Sequence, residues 1–370
     1  MNRAKLVIFI PSIEGGGVEK NLYVISNYLS SKLKNEVYVI TADKKNTDFF
    51  SKNVKVVSSK FKIPEINSRL IKYFISLILL LLFFLKNKKI VVLSFQANIY
   101  AIILCKILGV KIVVRSNSST KGWSSNILKN FIFKFFLKKS EKVIVNSYAL
   151  KNEFIKKFNL KSTCIYNPLN KYEVRKLARD KISSNFFNVR DKILKIINVA
   201  RLTDQKDHLT LLKALNTIKE KLNFRLIILG SGSNKNKLQN YINKNNLQKK
   251  IKLINYNRNP FKFIKRSELF ILTSLYEGLP NVLLEAISLK KFIISSDCPT
   301  GPREILLNGK GGFLFRVGDY KNLAKRIIFY SSHKKKLKKK IFFAYKNLKR
   351  FDYNNNLKKY LFIINKYLLN

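Results

Sequence analysis

The chain has 370 residues, with 73 Lys and Arg against 21 Asp and Glu and a formal net charge of +52. That length suits two ordinary domains, and 46% apolar residues allow each its own core. Cys105, Cys164 and Cys298 stand far apart without a CxxC, and the only histidines are His208 and His333. This argues against a disulfide framework and against a zinc site, and a reducing, cytoplasmic setting fits. The charge has two readings. It suits an anionic partner, whether nucleic acid, an anionic membrane surface or a polyanionic substrate; or it reflects an AT-rich coding sequence that favours Lys, Asn and Ile.

Taken in chain order, "MNRAKLVIFIPSIEGGG" has an apolar run that ends at Pro11. It is too short for a secretory segment and reads as a first buried strand. Strands are expected at 5–10, 36–40, 54–57, 89–95, 111–115 and 142–147, with helical segments between most of them. The runs are β-branched and do not alternate, as expected of parallel strands covered on both faces. "YFISLILLLLFFL", Tyr73 to Leu85, falls short of the roughly 20 residues of a spanning helix. It is either a buried core helix or one lying at a membrane interface, flanked by Lys72 and the "KNKK" at 86–89. "FIFKFFLKK" (131–139), like segment 73–89, could dock at a membrane surface.

The pattern breaks near "CIYNPLNKYEV", where Asn167-Pro168 signals a turn and a polar stretch runs to about residue 190. Strands then resume at 194–200, 224–229, 250–254, 269–273, 291–295 and 312–315, and the chain ends on an amphipathic helix. The expected fold is α/β: two doubly wound Rossmann-like domains, 1–175 and 176–350, facing across a cleft, followed by a C-terminal helix at 351–370. Ligands of such sheets bind at the carboxyl ends of the strands.

Four segments fall at such strand ends. Gly15, Gly16 and Gly17 precede a helix and form either a ligand-contacting loop or a flexible turn; the spacing is not that of a dinucleotide fingerprint. Arg201 and Lys206 flank a loop before a helix that starts near Asp207, and two cations there suit a diphosphate. His208, in the first turn of that helix, reads as a surface residue. Gly230-Ser231-Gly232 allow close approach of a nucleotide or simply a tight turn. In "YEGLPNVLLEAISL", Pro280 suits the first turn of a helix, and amides near Leu279, Asn281 and Val282 would attract a phosphate. Glu285, inside that helix, suits a ribose diol, and Glu277, on the loop with Gly278, suits a sugar's hydroxyls. The plain alternative is an amphipathic helix with two surface acids. Thr300 and Gly301, after the next strand, would lie near whatever Glu277 holds.

Together these segments resemble family 4 of the retaining glycosyltransferases, which have the GT-B fold. The residues that carry the resemblance are "GGGVEKNLYVISNYL", "IYNPLN", "NVARLTDQKDHLTLLKAL", "ILGSGS", "LTSLYEGLPNVLLEAISLKKFIISSDCPTGPREIL" and "GGFLFRVGD", with Glu277 and Glu285 the most specific pair. "SDCPTGPREIL" is similar to the branch that builds bacterial surface polysaccharides, lipopolysaccharide and lipid-linked oligosaccharides. The resemblance implies a hexosyltransferase in which Arg201 and Lys206 hold the donor diphosphate, Glu285 the ribose, and Glu277 the sugar near its reacting carbon. It also implies distal-phosphate contacts at Gly278 to Asn281, and a Gly15–Gly17 loop that closes over the donor.

The implied donor is a nucleotide-sugar substrate, expected to be a UDP-sugar, with no cofactor and no metal. The implied acceptor is lipid-linked or a lipopolysaccharide, reached from the inner face of the cytoplasmic membrane. Many relatives carry a histidine in the first domain near the reacting sugar, whereas here that domain has none. The corresponding strand end offers Arg115 and Asn117 to the acceptor side. Two other readings remain in view: an epimerase, or a synthase with a soluble acceptor, on the same fold; and a basic nucleic-acid-binding protein, for which no known module is present.

Overall fold

In a computed structural model of the chain, residues 3–43, 47–59, 69–119, 127–182, 185–187 and 193–369 are described. The polar stretch expected to run to about residue 190 lies partly outside them. The chain forms two compact units, Met1–Pro168 with Tyr353–Asn370, and Leu169–Asp352. The division falls after Pro168, within the turn signalled by Asn167-Pro168.

The first unit runs β1 (Lys5–Phe9), α1 (Gly17–Lys32), β2 (Val37–Thr41), β3 (Val54–Ser58), α2 (Arg69–Lys86), β4 (Ile90–Ser94), α3 (Asn98–Ile107), β5 (Lys111–Ser116), α4 (Ile127–Lys139), β6 (Lys142–Val145), α5 (Tyr148–Phe158) and β7 (Thr163–Cys164). Its strands form one parallel sheet in the order β3-β2-β1-β4-β5-β6-β7. Alternate residues of β1 feed two cores. Leu6 and Ile8 join Leu22, Ile25 and Leu29 of α1 on one face; Val7 and Phe9 join Leu80 of α2 and Ile102 of α3 on the other. Burial on both faces is why the strand runs are continuously apolar.

The second unit runs α6 (Lys171–Leu177), β8 (Leu194–Val199), α7 (His208–Thr217), β9 (Phe224–Leu229), α8 (Lys235–Lys244), β10 (Ile251–Ile254), α9 (Phe261–Arg266), β11 (Leu269–Leu272), α10 (Asn281–Ser288), β12 (Phe292–Ser296), α11 (Gly301–Ile305), β13 (Phe313–Phe315), α12 (Tyr320–Ser332) and α13 (Lys334–Lys346). Its sheet is parallel, in the order β10-β9-β8-β11-β12-β13. The chain first builds outward from β8 to β10, then crosses to β11 on the other side. The order therefore reverses between β8 and β11, the place where doubly wound sheets open a binding crevice.

The final helix, α14 (Tyr353–Leu369), returns to the first unit. Leu357, Tyr360, Ile364 and Leu368 lie three or four apart, so they share one helix face, and they pack into the α1-side core. Arg115 of β5 anchors this return. Its guanidinium is fully buried, donates to Tyr360 Oη (2.7 Å) and Asn167 Oδ1 (2.6 Å), and lies over the Phe95 ring. That burial gives Arg115 a framework role in place of the acceptor contact expected of it.

Candidate functional site

The second unit brings three strand-end loops together. Arg201 lies two residues past the end of β8 and is exposed; Lys206 closes the short 3-10 turn Asp204–Lys206. Asp207, in the left-handed region at φ 43°, then caps α7 by accepting from Thr210 N (3.3 Å) and Thr210 Oγ1 (2.6 Å). The loop after β11 is tied to this turn by Leu275 N to Gln205 O (2.8 Å), Gln205 Nε2 to Tyr276 O (2.9 Å) and Thr273 Oγ1 to Lys206 O (2.9 Å).

The loop after β12 is tied in turn to the loop after β11. Glu277 N donates to Pro299 O (3.0 Å), and Thr300 Oγ1 reaches both Glu277 O and Gly278 O (2.9 Å each). Gly301 permits this contact, since a Cβ there would stand 2.2 Å from Gly278 O and 2.7 Å from Pro280 Cδ.

This stitching places Lys206 Nζ 2.5 Å from Glu277 Oε1, beside the sheet's switch point. Ser274 Oγ donates to the same carboxylate oxygen (2.7 Å). Neither described bond uses Oε2. Glu277 is 7% exposed and Glu285, on α10, is 5% exposed, so neither is a surface acid. Pro280 is the residue that caps α10 rather than a member of its first turn, and the helix begins at Asn281. Leu279 is buried with Gly278 and Pro280, while Asn281 is half-buried.

His208 corrects the sequence expectation: it is 2% exposed, not on the surface. Its Nε2 lies 3.0 Å from Asn198 Oδ1, and Asn198 Nδ2 donates to Ile271 O (2.8 Å), so the ring Nε2 is the donor. Burial, with Lys206 nearby, holds its pKa down at about 4, so the imidazole stays neutral. His208 in the first turn of α7 thus faces Asn198 of β8, which the helical pattern alone does not reveal. Cys298, under the same loops, is buried; burial, and then the Glu277 carboxylate, push its thiol up to about 12, making it unreactive.

The glycines separate into kinds. A Cβ at Gly230 would lie 1.9 Å from Ala200 O, and one at Gly232 2.4 Å from Leu202 O. Both therefore serve close packing of the β9 loop on the β8 loop, where Leu202 N also donates to Ser231 O (2.9 Å). In the first unit, Gly15 takes φ 80°, Gly16 caps α1, and Gly17 opens the helix. Gly16 N donates to Glu19 Oε2 (2.9 Å), so this amide already has an anionic partner from the chain itself. The signal for it was a carboxylate three residues past the cap. Asn117 Nδ2 donates to Phe95 O (2.8 Å), bridging the ends of β4 and β5, while its buried Oδ1 has no partner among the described residues. Among the described residues, no group of three His, Cys, Asp or Glu could hold a metal ion.

Two family models match the chain: glycosyltransferase family 4 over residues 15–171, and glycosyl transferases group 1 over residues 180–347. The chain is a family 4 glycosyltransferase of GT-B fold. It is 42% identical over 201 residues to an uncharacterized glycosyltransferase of Methanocaldococcus jannaschii, covering 52% of this chain and 49% of that one. It is 27% identical over 196 residues to the N-acetylgalactosamine-N,N'-diacetylbacillosaminyl-diphospho-undecaprenol 4-alpha-N-acetylgalactosaminyltransferase of Campylobacter jejuni, covering 52% of this chain and 51% of that one. The matched part thus spans about half the length of each. The crystal structure of Anabaena HepE in complex with UDP and glucose shares the fold, with a TM-score of 0.77 at 16% identity over 98% of this chain and 100% of that one.

Proposed function

We propose that this glycosyltransferase moves a sugar from a UDP-sugar to a lipid-linked or lipopolysaccharide acceptor at the inner face of the cytoplasmic membrane, retaining the anomeric configuration. The observation that carries the reading is the buried Lys206–Glu277 pair at the switch point of the second sheet, with Glu285 on the helix that follows. A lone buried carboxylate is costly, and one held by a cation, with a second buried on the next helix, makes sense where a polyhydroxyl, polyanionic ligand is to be gripped. Support for the donor comes from HepE, solved with UDP and glucose, and support for the acceptor from the diphospho-undecaprenol named in the Campylobacter relative.

In this reading Arg201 and Lys206 hold the diphosphate, with the positive end of α10 beside it. Glu285 accepts from the ribose hydroxyls. Glu277 keeps Lys206 through Oε1 and offers Oε2 to the sugar. The acceptor hydroxyl attacks the anomeric carbon on the face from which the diphosphate leaves. The carbon–oxygen bond to phosphate breaks, and the hydroxyl proton passes to the departing phosphate oxygen. Arg201 and Lys206 stabilise the charge that develops there. No protein base is required, which accords with a first unit that lacks histidine. Thermal-shift screening with UDP-, GDP- and dTDP-sugars tests the donor, because ligand binding to the native state raises the melting temperature. A shift with UDP-sugars is expected; no shift with any nucleotide-sugar overturns the reading.

A further inference from the structure

The outer face of α2 is apolar where a water-exposed helix should be polar. Ser76, Leu80 and Phe83 face inward, and α2 packs on β2, β3 and α3. Leu70, Phe74, Ile78, Leu82 and Leu85, three or four residues apart, form a second stripe, each 40–68% exposed. At about 1.5 Å per residue the stripe from Leu70 to Leu85 is roughly 22 Å long. Lys72 pins the start of the helix to Asp43 (3.1 Å), so the stripe is held on the sheet.

A neighbouring helix repeats the feature. Phe131 and Phe135 of α4 are 66% and 50% exposed, one turn apart. α3 touches both α2 and α4, and residues of α2, α3 and α4 share one core, so the three helices cover one face of the sheet. Exposed apolar surface of this extent on a single face marks a binding surface.

Charge identifies the occupant. From Ile66 to Ser140 the sequence holds thirteen Lys or Arg and no Asp or Glu. Among the described residues, Lys86, Lys88, Lys138 and Lys139, at the ends of α2 and α4, have no acidic partner; Lys88 and Lys139 lie over Phe84 and Phe135. Compositional bias toward lysine accounts for many cations but not for seventy-five residues without a carboxylate in a chain that has 21 of them. An apolar stripe bordered by cations matches an anionic lipid surface, with acyl chains under the stripe and phosphates at the lysines. No helix among the described residues is long and apolar enough to cross a membrane.

We propose that α2 and α4 form a docking face that seats the first unit flat on anionic phospholipid. This deepens the proposed function and rests on it only for why the enzyme needs a membrane. Co-sedimentation with vesicles requires no turnover, so failure of docking and failure of the glycosyltransferase reading can be told apart by UDP binding to the same samples. The chain should sediment with vesicles of equal parts phosphatidylglycerol and phosphatidylcholine, and far less with phosphatidylcholine alone.

Phe74→Glu with Phe131→Glu should weaken binding at least tenfold. Each of Lys86→Gln and Lys138→Gln should weaken it about fivefold, less in high salt. UDP binding should stay unchanged in all of them, which shows that they fold. Equal sedimentation with both vesicle types, or wild-type sedimentation by the double Glu variant, would overturn the proposal. So would reversible self-association abolished by the same substitutions, which would make this face a contact between copies of the chain.

Discussion

Replacing Lys206 with Met keeps the stem of the side chain and removes the charge that faces Glu277. The two side chains are 15% and 9% exposed and 2.5 Å apart. After the substitution the carboxylate keeps the Ser274 hydroxyl but loses the cation that offsets its desolvation. Breaking a buried pair costs about 3–5 kcal/mol, and the lysine's partial access to water puts this pair near the low end. Glu277→Gln in the same background removes the stranded charge at nearly the same shape. The double variant should therefore recover about 1–2 kcal/mol of the loss, a coupling that independent sites do not show. Urea unfolding of the wild type, both single variants and the double variant near neutral pH measures each quantity. A Lys206→Met cost under about 0.5 kcal/mol, or simple additivity, would show that the pair is a solvated contact and would remove the basis for reading it as a built site.

Three other outcomes follow from the packing. His208 is neutral in the fold down to about pH 4, whereas an unfolded imidazole takes its proton near 6.5. Stability should therefore fall as pH drops through that window, by up to about 3 kcal/mol, and His208→Gln should show a shallower fall in denaturation measured at several pH values. Arg115→Met should lower stability by about 3 kcal/mol or more by stranding Tyr360 Oη and Asn167 Oδ1 and loosening α14, seen as faster hydrogen exchange in α14. Gly301→Ala should cost about 1–3 kcal/mol, because its Cβ meets Gly278 O, and should reduce donor affinity in calorimetry by shifting the loop that carries Glu277.

Much of this was legible in the sequence. Strands such as 224–229 emerge as apolar runs because both faces of each sheet are covered; Arg225, next to the start of that strand, is its one polar residue and is only half-buried. The starts of α7 and α10 were marked by Asp207 and Pro280, whose preferences are local. What could not be read is long-range. Lys206 and Glu277 are 71 positions apart, and only the adjacency of β8 and β11 joins them. His208 sits in a first turn that looks solvent-facing until Asn198 of β8 is placed beneath it. β7 has two residues, too few for any pattern to register. Gly230 and Gly232 allowed either a ligand approach or a tight turn, and the backbone that a Cβ at each would meet, Ala200 O and Leu202 O, belongs to a loop about thirty positions earlier. For α2, the apolar run was visible, but which side would remain exposed was set by the sheet beneath it.

The grip on a nucleotide-sugar is tested most directly by calorimetric titration of UDP into the wild type and into Glu285→Gln. A carboxylate that accepts from both ribose hydroxyls makes two charge-assisted bonds, each stronger than a neutral one by about 1 kcal/mol. Saturable UDP binding by the wild type, with affinity at least tenfold weaker in the variant, is the predicted result. Equal affinity in both would remove Glu285 from the site, and no binding of UDP to the wild type would contradict the account at its centre.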